Sequence, residues 1–110
     1  MNHDIPTPQF DTELTKALDE NLIESATLDW HETDEEGIKW TLDICKWPEG
    51  ARPLTESGRR EIAAEDAAIS RLIEAAKRDG FQISDYPAGS GSNDRGSQSV
   101  EWVVNPPVSG

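Results

Sequence analysis

Cys45, His31, Asp29 and Asp43 are the residues whose types could do chemistry together. A cysteine thiolate served by a histidine base and an orienting carboxylate is a nucleophilic arrangement. His31 and Cys45 share the wet face of a predicted two-stranded ribbon, and both aspartates fall on that face too. An open sheet face, however, supplies neither a pocket nor an oxyanion hole. The expected reading is a surface histidine near a carboxylate and a part-exposed thiol, not an enzyme, and no catalytic residue is assigned.

Metal and phosphate chemistry find no better support. His3, His31 and Cys45 lack Cys-x-x-Cys or His-x-x-x-His spacing, and the acidic turn Asp34-Glu35-Glu36-Gly37 lacks the alternating ligands of a calcium loop. The glycine- and serine-rich run at 89–97 lacks the Lys-Ser/Thr ending of a phosphate loop, and no helix is predicted after it. No metal and no cofactor are expected.

Charge is the outlying property. The chain of 110 residues holds 22 acidic and 10 basic side chains, a formal net charge of −12. Residues 1–50 carry 13 of the acids against only Lys16, Lys39 and Lys46, a net of −10. Such a field repels nucleic acid and anionic membranes and attracts basic surfaces. The one basic concentration, Arg52, Arg59, Arg60, Arg71, Lys77 and Arg78, is spread among Glu56, Glu61, Glu65, Asp66, Glu74 and Asp79, the pattern of a solvated helix face laced with ion pairs. Direct nucleic-acid binding is therefore not expected. One cysteine excludes an internal disulfide framework. The first residues do not read as a signal peptide, and no apolar run has the ~20 residues of a membrane span, so the expected compartment is the cytoplasm.

The stretch Ala26 to Trp47 must position the candidate residues. Ala26, Leu28 and Trp30 alternate with polar residues, as do Ile38, Trp40, Leu42 and Ile44, so each run predicts a half-buried strand. Two hairpin registers are open. A three-residue loop, Glu35-Glu36-Gly37, puts Asp29 opposite Asp43, a like-charge pair. A five-residue loop, Thr33 to Gly37, puts Trp30 opposite Trp40, His31 opposite Lys39 and Asp29 opposite Thr41. The second avoids the carboxylate clash and is the one expected.

Around this ribbon, residues 1–10 read as an extended arm, because Pro6 and Pro8 disfavour a helix. Asp11 caps a predicted amphipathic helix from Thr12 to about Ile23, burying Leu14, Ala17, Leu18 and Leu22. Thr55 or Ser57 caps a second helix from Arg59 to Asp79, with Ile62, Ile69, Leu72, Ile73 and Ala76 as its buried stripe. A third strand is predicted over Phe81 to Tyr86, a flexible loop over Pro87 to Ser99 and a fourth strand over Val100 to Asn105. Residues 106–110 are a tail. The order α-β-β-α-β-β predicts one α+β domain over 11–105, a four-stranded antiparallel sheet with both helices on one face.

Function is then expected from surface charge. Asp29, Glu32, Asp34, Glu35, Glu36 and Asp43 form the expected partner-binding face, with Trp47, expected to be part-exposed, as an anchor. The leading reading is a non-enzymatic inhibitor docking on a basic, nucleic-acid-binding surface of another protein and imitating phosphate charge. In size and charge, though in no motif, the chain resembles phage-encoded inhibitors of host defence, anti-CRISPR proteins among them. An immunity protein or antitoxin against a basic nuclease uses the same physics. A small domain that associates with itself, as a homodimer, is the third reading.

Overall fold

The computed structural model describes residues 5–35, 37–48, 55–92 and 97–107. Two helices and five strands follow in the order α1 (Pro8–Asp19), β1 (Ser25–Thr33), β2 (Gly37–Lys46), α2 (Glu56–Arg78), β3 (Gln82–Ile83), β4 (Gly89–Ser92) and β5 (Gln98–Asn105). The fold is α+β. All strand pairs are antiparallel, in the order β1-β2-β5-β3, and β4 pairs with β5 as well.

The β1–β2 hairpin adopts the expected register: Trp30 lies opposite Trp40, His31 opposite Lys39 and Asp29 opposite Thr41. The ladder runs one pair further than expected, to Thr33 opposite Gly37, whose φ of 72° is the left-handed conformation that glycine takes without strain. One parity of each long strand faces the helices. Ala26 of β1, Trp40, Leu42 and Ile44 of β2, and Trp102 and Val104 of β5 are buried in one cluster with Phe10 and Ala17 of α1 and Ala68, Leu72 and Ala76 of α2. The Trp40 and Phe81 rings meet at 5.2 Å with their planes tilted by 58°. The opposite parity forms a sheet face that neither helix covers.

Several boundaries differ from expectation for physical reasons. α1 begins at Pro8, not after Asp11. Proline is tolerated at the first helical position, where its missing N–H would have had no partner. Phe10 is buried and Ile5 packs against the core, so the predicted arm belongs to the domain from Ile5 onward. The cap comes from far along the chain. Asp79, just past α2, accepts from Gln9 N–H through Oδ1 at 3.2 Å and from Phe10 N–H through Oδ2 at 2.9 Å. α1 ends at Asp19, and Asn21 takes the positive φ of 58° that turns the chain toward β1.

α2 starts at Glu56, capped as expected by Thr55, whose side-chain oxygen accepts from Gly58 N–H at 3.3 Å. Of its expected stripe Leu72 and Ala76 are buried and Ile69 and Ile73 pack against the core, but Ile62 is 41 % exposed and Glu65, at 2 % exposed, is buried instead. Leu18 of α1 is likewise 45 % exposed, and Ile38, expected in the core row of β2, is 36 % exposed because the hairpin tip runs past the helices. The predicted strand Phe81–Tyr86 is regular only at Gln82–Ile83, though Phe81 and Ile83 are buried as expected. Residues 89–92, expected to be loop, pair with β5 as a fifth strand. Glycine and serine reach this ladder because the strand contributes backbone hydrogen bonds and little packing. No helix among the described residues is long and apolar enough to cross a membrane.

Candidate docking face

The helix-free face of the sheet is assembled in rows that run across its strands. Thr27, Asp43, Glu101 and Gly89 lie side by side across β1, β2, β5 and β4, and Asp29, Thr41 and Val103 form the next row. Asp43 and Glu101 are therefore direct cross-strand neighbours, with Cα atoms ~5 Å apart. Asp29 is the diagonal neighbour of Asp43, at ~7–8 Å. Asp43 Oδ2 accepts from Thr41 Oγ1 at 3.2 Å. At the hairpin tip Asp34 and Glu35 are exposed.

The fold thus brings together Asp29 and Asp43, with Asp34 and Glu35 at one end of their face. Glu101 joins them although the sequence did not single it out. Its parity on β5 was readable, because Val100, Trp102 and Val104 point the other way. Its neighbour was not, because adjacency to β2 is a matter of strand order. Glu32 has the parity of the helix-facing side, opposite Ile38, and is exposed only because the hairpin outruns the helices. Glu36 lies outside the described residues.

Trp47 is not part of this face. It follows the last residue of β2, so ten residues of extended chain, about 30 Å, separate it from the acidic turn. It is half-buried and doubly held: its backbone N–H donates to Glu65 Oε2 at 3.1 Å and its indole Nε1–H to Asn21 O at 3.1 Å. The indole, Leu22 and Ala64 wall a recess of about 510 Å³ between the end of α1 and α2.

Ion pairing divides the acids into two populations. On α2, Glu56 pairs with Arg60 at 3.6 Å, Asp66 with Lys46 at 3.5 Å and Glu74 with Lys77 at 3.7 Å. Buried Glu65 lies 4.0 Å from Lys46, and Glu13 of α1 pairs with Arg71 at 3.7 Å. Asp29, Asp34, Glu35, Asp43 and Glu101 make no ion pair among the described residues.

The cysteine–histidine arrangement does not assemble. His31 lies opposite Lys39, and Cys45 is six residues further along β2, about 20 Å away. Among the described residues no group of three or more His, Cys, Asp or Glu side chains is placed to hold a metal ion. Compared with models of known protein families, with curated proteins and with solved structures, the chain matches none.

Proposed function

We propose that this protein is a non-enzymatic inhibitor or binding protein that docks the acidic, helix-free face of its sheet and hairpin on a basic, nucleic-acid-binding surface of another protein. The observation that carries this reading is the division of the acids. Those of α2 are largely neutralised by neighbouring cations, so they project little field. Those on the hairpin face and Glu101 make no ion pair among the described residues, although Lys39 is a diagonal neighbour of Asp29 and lines a recess with Asp34 and Glu35, so more of their field extends into solvent, over a Debye length of ~8 Å at physiological salt. A row of carboxylates ~5–8 Å apart is of the same order as the charge spacing along a nucleic-acid strand. A phage-encoded inhibitor of host defence, of the anti-CRISPR kind, is the owner that this combination of size, charge and open acidic face fits best.

The test removes equal charge from two places. One variant carries Asp29→Asn, Asp34→Asn, Glu35→Gln and Glu101→Gln. The other carries Glu56→Gln, Glu61→Gln, Asp66→Asn and Glu74→Gln, all exposed on α2. Protein immobilised from each is used to capture partners from bacterial lysate at low and high salt. The first variant loses the salt-sensitive partner, and its association slows most, because surface charge acts chiefly on the encounter rate. The second retains it. Equal loss from both variants would reduce the acidity to a solubility device.

A further inference from the structure

Among the described residues β1 is an edge strand, with β2 as its one neighbour in the sheet. Its nine residues pair with β2 in an unbroken register, and the strand holds no proline, glycine or lysine. Bulges, prolines and lysines are the usual devices that keep an exposed edge from accepting another strand. A single guard takes their place: Trp30 N–H donates to Asp29 Oδ1 at 2.8 Å. Strand amides alternate between the two edges. An amide served by a side chain in mid-strand is therefore one turned away from β2, and alternation turns the amides of Leu28 and Glu32 the same way. The Asp29 carboxylate covers the centre of the open edge, and it is also one of the unneutralised acids of the docking face.

We infer that the outer edge of β1, the one turned away from β2, is where the partner engages, by adding an extended segment that carries lysine or arginine as a further strand of this sheet. Its cation draws the Asp29 carboxylate off the Trp30 amide, and that amide then donates to a carbonyl of the incoming backbone. Main-chain hydrogen bonds supply affinity in this mode, and alternate side chains supply selectivity. Charge chooses the occupant. Asp29 and Glu32 on the strand and Asp34 and Glu35 beyond its end favour a basic segment, whereas a second copy of this chain would bring the same acids against them. The inference rests on the docking reading and specifies how the docking is done.

The probe is a synthetic peptide of about eight residues that alternates lysine and valine, compared with the same peptide N-methylated at successive amides, so that both of its edges are blocked. Methylation keeps the charge and removes the strand pairing. Calorimetry at low salt reads affinity, and amide hydrogen exchange of the full-length protein reads the edge. The plain peptide binds and slows exchange at Leu28, Trp30 and Glu32, and the methylated peptide binds about tenfold more weakly, the effect of losing a few backbone hydrogen bonds. Equal binding of both peptides without protection of β1 overturns the edge inference and leaves acidic docking standing. Failure of both to bind overturns the two together. A dimer of the protein alone by analytical ultracentrifugation, with those three amides protected, assigns the edge to a second copy and also overturns the inference.

Discussion

Asp43 stands directly opposite Glu101 across the β2–β5 ladder. Like charges in this position destabilise a sheet, and no cation among the described residues offsets them. The pair therefore costs stability in the isolated protein, and a basic partner would relieve that cost. Glu101→Gln should raise the urea midpoint by the equivalent of ~0.2–1 kcal/mol. Asp43→Asn should give a similar gain, and the double variant less than the sum, because either change alone removes the repulsion. The same substitutions should slow association with the partner. A Glu101→Gln protein no more stable than the parent would mean that solvent already screens the pair.

Trp40 is the centre of the core row, buried against Phe81. Trp40→Ala should destabilise the fold by ~3–5 kcal/mol, the usual cost of deleting a buried large aromatic side chain. Denaturant titration followed by circular dichroism measures it. A loss below ~1 kcal/mol would contradict the packing described above.

Asp79 joins the two helices by accepting from the backbone of Gln9 and Phe10. Replacing a helix cap costs ~0.5–2 kcal/mol. Asp79→Ala should lose that much and speed amide exchange in the first turn of α1 while leaving the hairpin amides unchanged. Uniform acceleration across the chain would show global destabilisation instead of a lost cap.

Glu65 is buried, accepts from Trp47 N–H and lies beside Lys46. Glu65→Gln keeps an acceptor for that amide, whereas Glu65→Ala removes it and leaves a cavity. The alanine variant should be the less stable of the two by ~1–3 kcal/mol, the cost of an unsatisfied buried group. Trp47 fluorescence should shift to the red in the alanine variant alone. Identical behaviour of the two variants would remove the amide contact from the account.

Cys45 is half-buried and far from His31 along the strands. Cys45→Ser should leave partner binding unchanged within about twofold, since no step of the proposed docking uses the thiol. A folded Cys45→Ser protein that no longer engages its partner would restore a chemical role for this residue.

Much of this molecule is legible in its sequence. Alternation at Ala26, Leu28, Trp30 and at Trp40, Leu42, Ile44 determined two strands and their buried faces, because strand side chains alternate strictly. Charge repulsion between Asp29 and Asp43 selected the correct hairpin register. Helical spacing and Thr55 located α2. These are local properties, set by residues within a few positions of one another. What the tertiary structure decided was everything that depends on residues distant in sequence. Pro8 could start a helix because Asp79, seventy residues on, serves its first amides. Ile62 lost its place in the core to Glu65, which α2 buries against the end of β2. Residues 89–92 became a strand because β5 presented an edge to pair with. Asp43 met Glu101 because β5 inserts next to β2, a strand order that no local pattern encodes. The acidic face of this protein was half visible in the hairpin, and its other half exists only once the strands are in order.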